Sequence, residues 1–526
     1  MITAIVLARC NSSRLKNKHF YKINDDELIN IIYKNLKEND LISEIILATG
    51  TIKENKKFKN YFKKNKKIYF HKNNENVTER IYEVTKKIKN KYCVLISGDC
   101  CLTDNDFIKR LYNQIKNTNY DFIKSDKKLV HEGITLFRTK IWKKVNQLSL
   151  RSHQQEHPGY IVKEFPKLFK IGKFVPKKYE FYRPIRLSVD TESDLDFMNL
   201  NARYLKKQNK QFNLKEVLKS KNFNYINTHV TQKKAIEEKK NNFIILTSQS
   251  KKEGLGHFSR SKIIFREINE VLTSNVKIYC IGKSFFDESF IYRERLKFLK
   301  KINYSLFEAN DTIIIDLPKN QIKKLDLIKL KKNKIIFIDN HKNLKNSKTI
   351  IPSIRNPNKI KKNFLIGKNY LILPRKSFLY KEVNLNRNQN FFLNSGSIKI
   401  SKDFINFISD NNLNLIVGRL ISKKQIKLLK DKKIKYLVNP KNLFEILSSS
   451  KEIFCKFGVS TYELISIGKT PIIYDFNEVG ERLKDIKFLF KKGLVKLIRN
   501  NKIISNKKVL KISINTCLNN LIKVIQ

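Results

Sequence analysis

The sequence predicts an α/β protein built on mainly parallel sheets. Short apolar runs such as ITAIVLA (residues 2–8), EIILAT (44–49) and YCVLIS (92–97) are typical of buried strands. Between them lie polar segments, starting near Glu27 and Thr78, whose apolar residues recur at helical spacing. Because strands that alternate with helices usually form a parallel sheet covered by helices, this order predicts the α/β class.

The alternation restarts twice along the chain. The first series ends with RLSVDTESDLDFMNLNARYLKK (186–207), and the polar stretch HVTQKKAIEEKKNN (229–242) follows it. A second series begins with FIILTSQS (243–250), and a third begins with FFLNSGS (391–397). We therefore predict a first domain over residues 1–225, a linker over 226–241, and two doubly wound lobes over 242–388 and 389–526.

Composition limits the partners and the compartment. The chain has 526 residues and a formal net charge of +60, but its lysines are scattered rather than concentrated in one segment. The charge therefore does not predict a specific nucleic-acid partner. Seven cysteines without a C-x-x-C pair favour reduced thiols over a zinc site. The first apolar run is too short for a signal peptide and no run could span a bilayer, so we expect a cytoplasmic protein.

Charged and small polar residues follow the predicted strands of the first domain. Ligands of such sheets bind beyond the carboxyl ends of the strands, so these residues should lie together. A basic loop can grip phosphates, and two carboxylates can hold Mg²⁺ against a nucleotide. The candidates are Arg9, Asn11, Ser12, Ser13, Arg14 and Lys18 after the first strand, Asp99 after Gly98, and Asp190 with Asp194 one helical turn later.

Each of these residues also has a structural interpretation. The basic loop could be solvated, Gly98-Asp99 could form a turn, and Asp190 or Asp194 could cap a helix. Taken jointly, three strand-end sites of complementary charge favour a nucleotide site. Its cations would neutralise departing pyrophosphate while Mg²⁺ assists attack on the α-phosphorus.

Five segments of this domain resemble the cytidylyltransferase family, which includes the CMP-sugar-acid synthetases and a spore-coat polysaccharide (SpsF-like) branch. They are ARCNSSRLKNK, ENVTERIYEV, ISGDCCLTDNDFI, EHPGYIVKEF and RLSVDTESDLDF, within residues 1–220. The resemblance implies a Rossmann-like nucleotidyltransferase (GT-A-like) fold and transfer of CMP from CTP to a sugar acid. It also implies that Asp99 and Asp190 bind Mg²⁺, that Asp99 and Lys18 are catalytic, and that Arg9, Ser13, Arg14 and Lys18 contact the nucleotide phosphates.

The chain departs from the pattern of this family at several positions. Asn11 lies near the usual glycine, Lys16-Asn17 replaces Pro-Gly, and Cys101 stands where proline usually follows the Gly-Asp element. Glu156 and His157, in QQEHPGY, are candidates for sugar recognition, with an ordinary polar loop as the alternative.

The second half contains two glycine-containing turns between strand and helix. SKKEGLGHFSRS places Gly254, Gly256 and His257 at one helix start, where an anion can approach the backbone and where His257 could act as acid or base. A tight turn with a capping histidine is the alternative. The other turn lies between a predicted strand and helix in EIFCKFGVSTYELISIGKTPIIYDF. A diphosphate could bind at this helix start while a carboxylate accepts hydrogen bonds from ribose hydroxyls. Its candidate nucleotide ligands are Gly458, Ser460, Thr461 and Glu463.

These two stretches, with YLILPRKSF and NPKNLFEILSSSKEIF, resemble the UDP-sugar hydrolases of pseudaminic acid biosynthesis (PseG-like) within the two-lobed GT-B class. The resemblance spans residues 242–500 and implies that His257 activates water and that Glu463 binds the ribose of UDP. IDNHK (338–342) and FNEVGE (476–481) depart from the acidic and Glu-Asn-Gln elements of that family.

Together the two resemblances predict a bifunctional enzyme of surface-glycan precursor synthesis, of the nonulosonic or pseudaminic acid type. The expected partners are CTP with a sugar acid and, for the second half, a UDP-sugar; Mg²⁺ is the expected cofactor. A glycosyltransferase and a non-catalytic sugar-nucleotide-binding protein are the alternatives. A second copy of the chain, forming a homodimer, is a further candidate partner.

Overall fold

The computed structural model divides the chain into two compact units, Met1–Val230 and Thr231–Gln526. It describes residues 1–12, 14–62, 67–125, 129–130, 133–181, 187–220, 242–250, 255–272, 275–282, 292–342, 344, 347–355, 363–380, 389–394, 400–419, 421–474, 479–499, 502–506 and 524. The predicted linker, 226–241, lies outside these residues. Within them, no helix has both the length and the apolar character needed to cross a membrane.

The first unit is a mixed sheet covered by helices. Its strands are β1 Ile2–Leu7, β2 Lys22–Ile23, β3 Asp26–Glu27, β4 Ile42–Thr49, β5 Lys67–Phe70, β6 Tyr92–Ser97, β7 Phe122–Lys124, β8 Ile134–Arg138 and β9 Ile171–Lys173. Its helices are α1 Leu28–Lys37, α2 Ile52–Tyr61, α3 Val77–Thr85, α4 Asn105–Ile115, α5 Ile141–Leu148, α6 Ser152–Glu156, α7 Tyr160–Glu164, α8 Glu192–Lys207 and α9 Leu214–Lys219.

The sheet order of this unit is β5-β4-β1-β6-β8-β7-β9, and β2 with β3 forms a separate hairpin. β1 lies between β4 and β6 and is parallel to both, and its residues Ile2–Val6 are buried. β8 runs antiparallel to β6 and β7. The carboxyl ends of β1 and β6 therefore lie side by side, and the loops that follow them meet at one edge of the sheet.

The second unit contains two further sheets, one on each side of the predicted boundary at residue 389. The first sheet has β10 Asn242–Ser248, β11 Asn275–Ile281, β12 Leu296–Leu299, β13 Thr312–Asp316, β14 Lys334–Ile338, β15 Lys348–Ile351 and β16 Phe364–Ile366, with helices α10 Gly256–Glu267, α11 Lys319–Lys323 and α12 Arg375–Leu379. The second has β17 Phe391–Asn394, β18 Asn414–Val417, β19 Tyr436–Val438, β20 Ile453–Cys455, β21 Ile472–Ile473, β22 Lys496–Arg499 and β23 Lys502–Ile504, with α13 Lys402–Asp410, α14 Lys423–Asp431, α15 Leu443–Ser448, α16 Val459–Ser466 and α17 Gly480–Lys491.

Both sheets of the second unit are ordered around a central first strand. Their orders are β12-β11-β10-β13-β14-β15-β16 and β19-β18-β17-β20-β21-β22-β23. The described pairs are parallel except β22 with β23. A strand buried on both faces is largely apolar, as in β13, where all five residues are buried and the three central ones are isoleucines. The predicted α/β class with further parallel-sheet domains is confirmed, and the finer GT-B assignment stays a prediction.

Candidate active sites

Asp99 enters the first site because Gly98 lets the turn after β6 approach β1. The Gly98 amide donates to the Leu7 carbonyl oxygen at 2.8 Å. A Cβ at position 98 would lie 2.6 Å from that oxygen and 2.8 Å from the Ala8 Cβ, so a side chain here would push the two turns apart. The glycine therefore places the Asp99 carboxylate beside the loop that follows β1.

Asp190 is brought to the same site by a backbone hydrogen bond of the residue before it. The Val189 amide donates to the Asp99 carbonyl oxygen at 2.9 Å, which aligns the two backbones. Thr191 is the N-cap of α8, and Asp194 completes its capping box: Asp194 Oδ2 accepts from the amides of Asp190 and Thr191 at 3.0 and 2.9 Å, and the Asp194 amide donates to Thr191 Oγ1. Neither Asp190 nor Asp194 is therefore the N-cap itself; the Asp194 side chain supports the cap, whereas the Asp190 side chain faces Lys18.

Lys18 lies between the two carboxylates. Its Nζ is 2.6 Å from Asp99 Oδ2 and 2.8 Å from Asp190 Oδ1, and an Arg14 guanidinium nitrogen is 3.3 Å from the same Asp190 oxygen. Ser97 Oγ donates to the other Asp99 oxygen at 2.6 Å. Burial opposes the charge of Lys18, but the two carboxylates outweigh it and raise the pKa of the ammonium. Burial likewise opposes ionisation of Asp99, and Lys18 lowers the pKa of that carboxyl well below its usual range.

Asn17 lies in the basic loop, where the family pattern has the glycine of its Pro-Gly pair. Asn17 adopts φ 57°, in the left-handed region where glycine is usual, and its amide donates to the Cys10 carbonyl oxygen at 2.8 Å. Asparagine is among the non-glycine residues that best tolerate this region. Lys18 is the next residue after this turn. The left-handed conformation of Asn17 therefore directs the Lys18 side chain towards the two carboxylates.

Arg9 lies apart from this cluster. Its side chain is 40% exposed and makes loose ion pairs with Glu75 and Glu156, at 3.5 and 3.8 Å. Glu156, a candidate for sugar recognition, therefore lies beside a candidate phosphate ligand. The ring of His157 packs near Tyr160, with their centroids 6.5 Å apart. Ser13 lies outside the described residues.

A supporting network around the basic loop was not predicted. Asn55 Oδ1 accepts from the Cys10 amide at 2.8 Å, and Asn55 Nδ2 donates to Asn74 Oδ1 at 3.2 Å. Arg80, only 2% exposed, donates to the Asn74 carbonyl oxygen at 2.7 Å. Arg80 belongs to the ENVTERIYEV segment, but Asn55 on α2 carries no sequence signal for this role.

Residues 3–220 match the family model described as Cytidylyltransferase. The N-terminal region belongs to the cytidylyltransferases. This confirms the cytidylyltransferase resemblance of the first unit, whereas its assignment to a sugar-acid or SpsF-like branch stays a prediction; the match ends before the second unit begins. The uncharacterized protein MJ1063 of Methanocaldococcus jannaschii is 28% identical over 193 residues, which cover 37% of this chain and 79% of that protein.

Two solved structures are similar to part of the chain. A cytidylyltransferase from Leptospira borgpetersenii serovar Hardjo-bovis has 18% identity and a TM-score of 0.36, over 42% of this chain and 97% of that one. A CMP:2-keto-3-deoxy-manno-octonic acid synthetase complexed with CTP has 16% identity and a TM-score of 0.31, over 40% of this chain and 100% of that one.

The cytidylyltransferase region offers two carboxylates to a divalent cation. Oxygens of Asp99 and Asp190 both lie within 2.8 Å of the Lys18 ammonium, so they converge on one point. Mg²⁺ commonly takes one or two carboxylates and completes its shell with water and phosphate oxygens, so this pair fits it. In the described part of the chain, no three His, Cys, Asp or Glu side chains gather as a metal site. The remaining ligands would therefore come from the nucleotide and solvent.

In the second unit, His257 is the second residue of α10 and is paired with a buried aspartate. Its Nδ1 lies 2.6 Å from Asp316 Oδ1, at the carboxyl end of β13. Arg260, one turn along α10, donates from Nε to Asp316 Oδ2 at 3.0 Å and from a terminal nitrogen to Oδ1 at 2.7 Å. Burial opposes ionisation of Asp316, and Arg260 outweighs it, so the pKa of this carboxyl is lowered.

The glycines before His257 are only partly described. Gly254 lies outside the described residues. A Cβ at Gly256 would meet nothing within 4 Å, so the helix start is open at this point. Sequence reasoning singled out His257 but missed Asp316 and Arg260. Arg260 lies three residues after His257, at the spacing that places two side chains on one helix face, and that spacing was the available signal.

The second candidate helix start of this unit is α16. The Gly458 amide donates to Thr461 Oγ1 at 3.2 Å, and the Thr461 amide donates to the Gly458 carbonyl oxygen at 3.0 Å. Thr461 is fully buried, so the structure places it in the support of this turn. Ser460 and Glu463 are partly exposed. Burial raises the pKa of Glu463 to about 7.

Proposed function

We propose that the cytidylyltransferase region transfers CMP from CTP to a sugar acid and releases pyrophosphate. The observation that carries the proposal is the position of Lys18 between Asp99 and Asp190, with Arg14 beside them. Two carboxylates and two cations beside the carboxyl ends of the parallel strands β1 and β6 form a site for a metal-bound, highly charged phosphate chain.

The residues of the chain divide the work in this proposal. Arg14 and Lys18 bind the phosphates and offset the charge that develops on departing pyrophosphate, and Arg9 extends this grip towards the exposed side. Asp99 and Asp190 would hold Mg²⁺, which would supply positive charge to neutralise and orient the triphosphate. Ser97 orients Asp99, and Gly98 keeps the two turns in contact. Because Lys18 already occupies the carboxylates, its ammonium exchanges partners when nucleotide and metal arrive.

Calorimetry tests this proposal with the full chain, in Mg²⁺, titrated with CTP, UTP, ATP and GTP. We expect selective binding of CTP and its loss in Asp99→Asn. The matched control is Asp25→Asn, which removes an exposed carboxylate that pairs with Lys206 in the same unit. Equal binding of CTP by wild type and Asp99→Asn would remove Asp99 from the site. Absence of binding by every nucleotide would support a non-catalytic first unit instead.

We further propose that the second unit hydrolyses a UDP-linked amino sugar, with His257 taking a proton from the attacking water. The pairing of His257 with Asp316 favours this role over a helix cap, because the ring is held by a buried carboxylate and not by the helix amides. Gly458, Ser460 and Glu463 are the proposed UDP ligands. The two activities would serve one cytoplasmic route to nonulosonic, pseudaminic-type surface-glycan precursors.

Release of UDP from UDP-linked amino sugars tests the second activity. His257→Gln should abolish it, and the control His341→Gln, whose ring packs on Phe364, should retain it. Release that requires an added acceptor sugar would identify a glycosyltransferase. UDP binding without release, in wild type, would identify a binding protein.

A further inference from the structure

The buried carboxylate of Asp316 joins His257 to the sheet of the second unit. We propose that Asp316 is a positioning residue, which holds the proton on His257 Nδ1 and leaves Nε2 as the basic nitrogen. The proposal concerns the state of the imidazole and rests on the proposed function only for what Nε2 acts upon.

The hydrogen-bond inventory around Asp316 fixes the position of the proton. An ionised carboxylate only accepts hydrogen bonds, so the 2.6 Å separation between its Oδ1 and His257 Nδ1 requires a hydrogen on the nitrogen. Arg260 keeps this carboxylate ionised by donating to both of its oxygens.

One contact of the ring would favour the opposite tautomer, in which His257 Nε2 carries the proton. A terminal nitrogen of Arg260 lies 3.1 Å from His257 Nδ1, where it could donate if Nδ1 carried a lone pair. The same nitrogen is 2.7 Å from Asp316 Oδ1, which is a shorter contact with a charged acceptor. Both donors therefore converge on Oδ1, and the Arg260 contact with Nδ1 follows from their sharing it.

The position of Asp316 allows it to orient the His257 ring and keeps its own carboxylate out of contact with a substrate. Asp316 is fully buried and is the last residue of β13, where it pairs with Thr247 of β10. A side chain on a central strand moves little, so it holds the ring more firmly than a loop residue could. The His257 side chain is 17% exposed and so can reach solvent or ligand.

The protonation of the His257 ring in the wild-type protein can overturn the proposal. We would label the full chain with ¹⁵N at histidine only and record magic-angle-spinning NMR spectra at a pH where the ring is neutral. Subtracting the spectrum of His257→Gln identifies His257 among the eight histidines. We expect a protonated Nδ1 and an unprotonated Nε2. A protonated Nε2 would show that Arg260 donates to the ring and would overturn the proposal.

Variants then separate positioning from support of the fold. Asp316→Asn should move the neutral ring away from the Nδ1-protonated form and lower UDP release by roughly 100-fold or more. The control Asp311→Asn removes a buried carboxylate just before the amino end of the same strand and should leave the His257 spectrum unchanged. If the spectrum responds as expected but wild type releases no UDP, the positioning role stands and the hydrolase proposal fails. An unchanged spectrum in folded Asp316→Asn would refute the positioning role.

Discussion

Each of the two candidate sites holds an aspartate at the carboxyl end of a strand, and the two aspartates have different partners. Asp99 lies two residues beyond β6 in the first unit and is partly exposed, whereas Asp316 is the last residue of β13 in the second unit and is fully buried. Asp99 meets Lys18, a flexible ammonium that also touches Asp190. Asp316 meets Arg260, whose planar guanidinium contacts both carboxylate oxygens, and His257.

The two cations suit the two sites to different tasks. An ammonium is a point charge on a flexible stem and can leave its carboxylates for a phosphate, so the first site is built to exchange cations. A two-pronged guanidinium holds its carboxylate in one geometry, so the second site is built to keep a ring in place. Stability measurements can test this contrast, because removal of an exchangeable cation and removal of a fixed one should change the free energy of unfolding differently.

The largest effect is expected from Arg260→Met. It leaves Asp316 fully buried without its guanidinium, and breaking such a pair costs about 3–5 kcal/mol of unfolding free energy. Urea denaturation at pH 7 measures the loss. Because the folded pKa of Asp316 is lowered, its stabilisation is present above the pKa of the unfolded chain and fades as the pH falls through the folded value.

The pH dependence supplies the control for Arg260→Met. Without Arg260, the buried carboxyl protonates more readily, so the gap between wild type and variant should narrow as the pH falls from 7 towards 4. Added Mg²⁺ should not restore the variant. A gap that is constant with pH would indicate lost packing and not a lost charge.

A smaller effect, about 2–3 kcal/mol, is expected from Lys18→Met, because Arg14 remains beside Asp190 and the carboxylates are partly exposed. Here Mg²⁺ should restore part of the lost stability, since a divalent cation replaces the ammonium between Asp99 and Asp190. Urea denaturation with and without Mg²⁺ measures both changes.

Lys34→Met is the matched control for Lys18→Met. Lys34 pairs with Asp26 on the surface of the same unit, so its loss should cost less than about 0.5 kcal/mol and should not respond to Mg²⁺. Equal responses of the two variants to Mg²⁺ would contradict the exchangeable-cation interpretation.

Glu463→Gln should stabilise the protein, by about 1–2 kcal/mol at pH 8. Burial raises the folded pKa of Glu463 to about 7, so the folded state is penalised where this carboxyl must be charged. Near pH 4.5 the carboxyl is largely neutral in the folded state, and the substitution should change little. Thermal midpoints at the two pH values measure the difference.

Glu452→Gln serves as the control for Glu463, because Glu452 pairs with Lys496 and should not be stabilised by losing its charge. If Glu463 also receives ribose hydroxyls, Glu463→Gln should weaken UDP binding while it stabilises the fold. A variant that gains stability and keeps full UDP affinity would leave the carboxylate without a role in binding.

The sequence predicted the sheets better than the pairs of charges. Apolar runs such as the three isoleucines of β13 occur because central parallel strands are buried on both faces, so the positions of these strands could be predicted. The directions of the strands were harder to predict from the sequence. The pair of β7 and β8 is antiparallel, because the segment between them is shorter than the dozen or more residues that a parallel crossover needs. β21 covers only Ile472–Ile473 of the predicted run at 470–476.

The sites show where local patterns stop being informative. Asp99 and Asp190 could be singled out, because each ends a strand-like run and lies in a recognised family segment. Asp316 also ends such a run, but its partner is 59 residues away, and no periodicity links positions that only the fold brings together. Its remaining signal was a carboxylate at the end of a buried strand, which requires a partner wherever it is not solvated.

The smallest effect concerns Asn17, where the chain departs from the family pattern. At φ 57°, alanine pays the steric cost that asparagine tolerates, so Asn17→Ala should lower the unfolding free energy by about 1 kcal/mol, and Asn17→Gly should be neutral within roughly 0.5 kcal/mol. The turn at Asn17 also positions the next residue, Lys18. Asn17→Ala should therefore weaken CTP binding, and Asn17→Gly should not. Urea denaturation and CTP calorimetry on both variants measure these effects. If alanine and glycine behave alike, the left-handed turn does not position Lys18, and the loop tolerates the missing Pro-Gly pair for another reason.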